Sequence, residues 1–337
     1  MSKPVGVGLI GVGEISVEHA KGYAARKDAR ITAIADINVA AAKNASERYG
    51  VKQYYSDYHQ LLSDPNVDMV DICIPHSLHA AAAIAAAEAG KHILVQKPMA
   101  ISLEECDRMI GAARKAGVKL MVNHNQIFYP PYQELRKLIT AGELGQIRIL
   151  RARLGVGGKL SGWRANPKIT GGGLLFDSGV HRFYTSRFLM GEVKSVQAFA
   201  DKKNPREEGE DIAAVLLKFE GSRYGIIDAS YFDPPNVYDD VIEAYGNLGI
   251  AKVPGCEGFW TGFVSGSPLQ VYRDGRWTQR SDLESDWSKT IQYGIHHFLD
   301  SVINDLESPV PGEEGRRIVE IILACYESVR REKTIDL

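Results

Sequence analysis

Three side chains in this sequence are of the types that move a proton and steady a charge: Lys97, Asp177 and His181. Asp177 and His181 are four positions apart in a segment whose pattern predicts helix, and residues spaced i and i+4 share a helix face. A carboxylate so placed would orient the imidazole or relay its proton. Lys97 lies at the C-terminal end of the run His92–Val95, which reads as a strand, and open parallel sheets put their ligand sites at strand C-terminal ends. Its ammonium would stabilise an alkoxide developing on a substrate. Oxidation of a secondary alcohol needs these parts, a base for the hydroxyl proton and positive charge near the oxygen, while a cofactor takes the hydride. His181 is assigned as the base, Lys97 as the electrostatic group and Asp177 as the partner; exchanging the lysine and histidine roles also fits. Singly, these residues also suit a solvated strand-end lysine and a structural Asp–His pair, so their company decides.

That company begins at the N-terminus. Gly11–Val12–Gly13–Glu14–Ile15–Ser16 lies between a predicted strand, Val5–Ile10, and a predicted helix, Glu14–Lys27. In this G-x-G-x-x-S turn the first glycine permits the tight bend and the second lets a pyrophosphate approach the helix N-terminus. Ser16 is small where a third glycine would ease packing. Asp36 ends the next predicted strand, Arg30–Asp36, where a carboxylate accepts hydrogen bonds from an adenosine ribose. Ile37 and Asn38 follow with no arginine beside them, so Asp36 would repel a 2′-phosphate and NAD is expected in preference to NADP.

The positioning elements follow from the pattern. From Val5 to about Asn123, short β-branched runs (also Met69–Ile74 and Lys119–Asn123) alternate with helical ones at Val39–Tyr49, Ser77–Ala89 and Leu103–Ala116. That is the signature of a doubly wound parallel sheet, a Rossmann domain over 1–125. Pro130–Pro131 marks the crossing into a domain over 126–337, starting with a helix at Tyr132–Thr140. Strand-like segments follow at Ile147–Val156, Lys194–Ala200, Ile212–Phe219, Tyr224–Tyr231, Val237–Tyr245 and Leu269–Tyr272. Gly-containing turns between several of them predict mainly antiparallel pairing, hence an α+β domain. Helices at Trp287–Leu306 and Glu313–Glu332 close the chain, the last placed to pack back on the first domain.

A length of 337 residues suits two domains. Hydrophobic residues at 45% and charged residues at 24% exclude disorder as the general state. A net charge of −2 supplies no field for nucleic acid or an anionic membrane, which favours a small-molecule partner. No apolar stretch reaches the roughly 18 residues of a membrane span, and the N-terminus lacks a leader pattern, so a cytoplasmic location is expected. Cys73, Cys106, Cys256 and Cys325 form no CxxC pair, as expected of reduced thiols without a metal.

Several motifs in order resemble the Gfo/Idh/MocA family of oxidoreductases along nearly the whole chain. They are Gly11–Val12–Gly13, the run Cys73–Ile74–Pro75–His76–Ser77–Leu78–His79, Ala89–Gly90–Lys91–His92 through Gln96–Lys97–Pro98, Gly142–Glu143–Leu144–Gly145, and Gly171–Gly172–Gly173 through Asp177–Ser178–Gly179–Val180–His181. The resemblance implies a second domain with a large open sheet, an active site between the domains, homodimers or homotetramers formed through the sheets, and sugar or cyclitol substrates. It maps the family's catalytic lysine onto Lys97 and its D-x-G-x-H carboxylate and histidine onto Asp177 and His181.

The implied cofactor set is Gly11, Gly13, Glu14, Ile15, Asp36, Ile37, Ile74, Pro75, His76, His79, Gln96 and Lys97; Asn125, Trp163 and Arg164 join Lys97, Asp177 and His181 around the substrate. A loop anchored by its tryptophan accounts equally well for Trp163–Arg164. There are departures. Gln96 stands where a glutamate is usual and, pointing away from its strand neighbour, is expected to support the site from behind. His76 replaces a frequent asparagine, and Gln126–Ile127 a commonly basic pair. Pro98 admits a cis bond, with trans the default. Tyr129, His124, His296 and His297 read as packing or surface residues. Two alternatives remain: net glycoside cleavage or epimerisation with retained NAD, and a non-enzymatic NAD-responsive sensor.

Overall fold

The computed structural model describes residues 3–157, 160–203, 209–234, 237–255 and 267–337; Cys256 lies outside them. The chain divides into two units, Met1–Asn125 with Ile291–Val319, and Gln126–Thr290 with Glu320–Leu337.

The first unit runs β1 (Val5–Ile10), α1 (Glu14–Ala24), β2 (Ala29–Ala35), α2 (Val39–Tyr49), β3 (Gln53–Tyr55), α3 (Tyr58–Leu62), β4 (Met69–Ile72), α4 (His79–Glu88), β5 (His92–Gln96), α5 (Leu103–Ala116) and β6 (Leu120–Asn123). Its six strands are all parallel in the order β3-β2-β1-β4-β5-β6, the doubly wound Rossmann arrangement. Every residue of β4 is buried, which is why the strand reads as an apolar run apart from Asp71. In the alanine-rich α4, Ala80, Ala82, Ala83, Ala86 and Ala87 are buried; methyl side chains let its axis approach α5 and β5 closely. α4 starts at His79, because His76–Leu78 form a 3-10 turn.

The second unit contains α6 (Pro130–Thr140), β7 (Ile147–Val156), α7 (Pro167–Thr170), α8 (Leu174–Asp177), α9 (Val180–Met190), β8 (Val193–Asp201), β9 (Ile212–Phe219), β10 (Arg223–Ser230), β11 (Tyr238–Gly246), β12 (Gly249–Val253), β13 (Gln270–Arg273) and β14 (Arg276–Gln279). Two long helices, α10 (Trp287–Ile303) and α11 (Gly312–Arg331), and the short β15 (Ile335–Asp336) end the chain. The nine-stranded sheet has the order β14-β13-β12-β11-β7-β10-β9-β8-β15. Its pairs are antiparallel except β7 with β10, which is parallel. β9 alternates strictly, with Ala213, Val215, Leu217 and Phe219 buried and their neighbours exposed, as a sheet with one covered face requires. Among the described residues no helix is long and apolar enough to cross a membrane.

Candidate active site

The first βα turn is shaped for a dinucleotide. Gly11 has φ +89°, and a Cβ there would meet the Cys73 carbonyl oxygen at 2.4 Å. A Cβ on Gly13 would meet nothing within 4 Å, so this glycine leaves open space in front of α1, whose first residue is Glu14 and which, among the described residues, has no side-chain N-cap. Val12 and Ile15 pack on the cluster formed by Leu9, Ile34, Ala42 and Cys73, which fixes the turn to the sheet. Asp36 does more than the sequence suggested: its Oδ2 accepts from the Val12 backbone N–H at 2.9 Å and its Oδ1 from Asn38 N–H at 2.8 Å. The carboxylate that would meet a ribose thus also holds the glycine turn. Ile37 is 94% exposed beside it. These residues fit NAD: the open glycine, the unobstructed helix N-terminus and the acidic ribose partner coexist within one fold element pair.

Lys97 is half-buried at the end of β5, and its peptide bond to Pro98 is cis, where trans was the default expectation. Ile74 and Pro75 are half-buried after β4, and His76 is buried. His79, expected at the cofactor, bridges two backbone turns. It is wholly buried, with Nδ1 2.8 Å from the Pro98 carbonyl oxygen and Nε2 2.8 Å from that of Ile74. It therefore ties the turn after β4 to the turn after Lys97. Burial, more than the nearby Lys97 charge, holds its pKa below the usual histidine value, so the neutral ring donates to one carbonyl at a time.

Gln96 points into the core, where its Nε2 lies 2.5 Å from His19 Nε2. His19 Nδ1 is 2.7 Å from Asp71 Oδ2, which also accepts from the Tyr23 hydroxyl at 2.8 Å. An imidazole whose Nδ1–H is directed at Asp71 offers Nε2 as an acceptor, and the Gln96 amide N–H suits it. The departure at this position is thereby matched by its neighbours. His19, Asp71 and Cys73 cluster together in this core; burial first, and Asp71 next, push the Cys73 thiol pKa well up, and its Sγ donates toward Asp71 Oδ1 at 3.5 Å.

In the second unit Asp177 is 4% exposed at the end of α8. Its Oδ2 accepts from the Tyr231 hydroxyl at 2.8 Å, and Oδ1 lies 3.9 Å from Arg164 Nε. Burial foremost, then Asp177, raises the Tyr231 pKa well above normal, so the phenol stays a donor. Arg164 is exposed, with its guanidinium 5.4 Å from the half-buried Trp163 ring. Asn125 is buried, 4% exposed.

The expectation of one helix carrying Asp177 and His181 is overturned. α8 ends at Asp177 and α9 begins at Val180. The Leu174 carbonyl accepts from both Ser178 and Gly179, after which His181 bonds to Ser178 and Arg182 to Gly179. The hydrogen-bond ladder widens and then tightens between the two helices. His181, half-buried, is instead followed by a wholly buried Arg182, paired with Asp240 and bonded to Gln126. Asp240 keeps this guanidinium charged although burial opposes it. Removing either partner alone would cost about 3–5 kcal/mol. Gln126 accepts from Arg182, where a basic residue would meet like charge.

Tyr129 is buried and donates to the Gly255 carbonyl, and His296 Nε2 lies 3.0 Å from the Gly22 carbonyl; both are structural. His19, Tyr231 and Arg182 were missed in the sequence; only Asp71, a lone acid in an apolar strand run, carried a local signal.

A Rossmann unit with a dinucleotide turn, in a chain whose second unit offers a buried carboxylate and a histidine, defines a pyridine-nucleotide oxidoreductase. The chain belongs to the Gfo/Idh/MocA oxidoreductase family: residues 5–124 match its model for the oxidoreductase family, NAD-binding Rossmann fold, and residues 132–252 match the GFO/IDH/MocA C-terminal domain. It is 32% identical to the myo-inositol 2-dehydrogenase of Thermotoga maritima, over 98% of this chain and 98% of that protein. It is likewise 32% identical to the D-glucoside 3-dehydrogenase of Escherichia coli, over 100% and 98%. The structure of levoglucosan dehydrogenase with NADH and levoglucosan superposes with a TM-score of 0.89 at 25% identity, covering 99% of each chain.

Proposed function

We propose that this protein is an NAD-dependent dehydrogenase that oxidises a secondary hydroxyl of a sugar, cyclitol or related polyol, or reduces the ketone in reverse, with Lys97, Asp177 and His181 as its catalytic residues. The observation that carries the reading is the buried Asp177 carboxylate, fixed by Tyr231 a few residues before a half-buried histidine. Bound NAD supplies the hydride acceptor. His181 removes the hydroxyl proton during oxidation and returns it during reduction. Asp177 favours the imidazolium that results. Lys97 places an ammonium at the reacting oxygen and stabilises its negative charge. Asn125, Trp163 and Arg164 contact the substrate, and Gly11, Gly13, Asp36 and Ile37 hold the cofactor.

The domain assignment is 1–125 for the cofactor and 126–337 for substrate and assembly. The protein is assigned to the cytoplasm, where its buried thiols Cys73, Cys106 and Cys325 stay reduced. It assembles as a homodimer or homotetramer, supported by the apolar side chains Phe199, Leu216 and Tyr224 on the exposed face of the nine-stranded sheet, 65%, 50% and 47% exposed.

The test is NADH formation from NAD with a panel of myo-inositol, methyl glucosides, levoglucosan and apiose. Turnover by wild type and none by Lys97→Met is expected; wild-type rates in Lys97→Met would end the catalytic assignment. Products without net NADH would point to cleavage or epimerisation, a reading that the dehydrogenase relatives disfavour.

A further inference from the structure

One carboxylate outside the catalytic set is bonded in a way that ordinary loop packing does not require. Glu210 precedes β9, and its two side-chain oxygens accept from the backbone N–H groups of Gly173 and Leu175, both at 2.9 Å. Its own carbonyl oxygen accepts from Leu174 N–H at 2.9 Å. Three consecutive amide groups at the start of α8 are therefore bound by a single residue. The Tyr326 hydroxyl, from α11, donates to Glu210 Oε1 at 2.6 Å and accepts from Gly173 N–H at 3.2 Å.

This arrangement explains the glycine run. A Cβ on Gly173 would lie 2.3 Å from the Glu210 carbonyl oxygen, and one on Gly172 would lie 2.1 Å from the Tyr326 hydroxyl oxygen. The backbone must come this near for the carboxylate to reach it. What the clamp holds is α8, four residues long, whose last residue is Asp177; a helix so short has little stability of its own. The same strand start also acts from the other side. The Asp211 carbonyl accepts from Tyr231 N–H at 2.8 Å, and Tyr231 carries the phenol that donates to Asp177.

We propose that Glu210, supported by Tyr326, is a positioning residue that fixes α8 and so sets the place and orientation of the Asp177 carboxylate. This rests on the catalytic reading of Asp177. Substitution by glutamine keeps the shape but turns one acceptor into a donor facing a backbone N–H. Asp177 is then held loosely, and misplacement of a catalytic group by about 1 Å costs on the order of 100-fold in rate.

The experiment compares full-length wild type, Glu210→Gln, Tyr326→Phe and Asp177→Asn, using the panel substrate that wild type oxidises. Four quantities are read: kcat, KM, NADH affinity by fluorescence, and amide hydrogen exchange along the chain. For Glu210→Gln the expected result is a fall in kcat of roughly 10- to 100-fold, KM and NADH affinity within about threefold, and faster exchange confined to the 173–177 region. Tyr326→Phe should shift the same quantities by less. Glu210→Gln with kcat within about twofold of wild type and unchanged exchange at 173–177 would overturn the inference. So would exchange accelerated throughout the second unit with kcat and NADH affinity falling together, since that is a general stability role. Wild-type kcat in Asp177→Asn would instead defeat the catalytic reading, and the exchange data alone would then decide whether Glu210 orders α8.

Discussion

Two glycine-rich segments precede helices in this molecule, and both are held by a distant carboxylate, yet their glycines serve opposite ends. At Gly11–Gly13, Asp36 binds one backbone N–H, and a Cβ on the second glycine would enter open space. At Gly171–Gly173, Glu210 binds three successive backbone N–H groups, and Cβ atoms would strike Tyr326 and Glu210 themselves. In the first segment Gly11 is bare because the Cys73 carbonyl lies against it, while Gly13 leaves open volume where the proposed cofactor would reach the backbone; in the second, protein fills the volume at both Gly172 and Gly173. An anion-binding turn and an internally satisfied helix start thus share a composition while differing in what fills the vacated volume.

The largest effect that tests this contrast lies on the protein-filled side. Asp177→Asn should lower kcat by about 100- to 10,000-fold with NADH affinity unchanged, measured by steady-state kinetics and fluorescence titration; weakened NADH binding would show that the two segments are not functionally separate. Exchanging the glycines for alanine should split the two regions next. Gly172→Ala should destabilise the fold by about 1–3 kcal/mol through overpacking, seen as a lower Tm. Gly13→Ala should leave the ligand-free Tm near wild type while weakening NAD.

A loss of similar size, in binding instead of stability, is expected from Asp36→Ala. Removing a charged acceptor from the Val12 N–H and from the ribose should cost about 1.5–3 kcal/mol of NAD binding, checked by calorimetry, with the rate at saturating NAD retained. The smallest effect concerns His79. Its pKa in the fold lies below the ordinary 6.5, so the unfolded chain binds the proton more readily. Its contribution to stability is full above pH 6.5 and is lost as pH falls from there toward the folded value. Chemical denaturation across this window should show a shallower acid-side loss in His79→Asn; an identical slope would count against a buried neutral ring.

Much of the first unit was legible because its signals are local. The Rossmann turn, the place of Asp36 after β2 and all the longer strands follow from short-range pattern, and the Gly171–His181 run stood out by its residue order within the family resemblance. What escaped depends on partners far along the chain. Glu210 is 37 residues from Gly173 and Tyr326 is 153 away, so no spacing rule connects them. The break between α8 and α9 escaped because periodicity treats Asp177–His181 as one helix, while the shared Leu174 carbonyl interrupts the regular ladder. The strands β3, β12, β14 and β15 were missed: they are short, and β14, exposed at every position, has no buried face to impose alternation. The parallel β7–β10 pair was hidden by turns that favour hairpins.

The same short strands bear on how copies of this chain meet in a crowded solution. The nine-stranded sheet ends in β14, four residues carrying Arg276, and in β15, two residues at the C-terminus. A long flat edge would invite another chain to add strand upon strand into fibrils, whereas brief, charged edges offer too few hydrogen bonds to start that growth. Edges this brief and charged therefore guard the rim of the sheet against strand-by-strand growth.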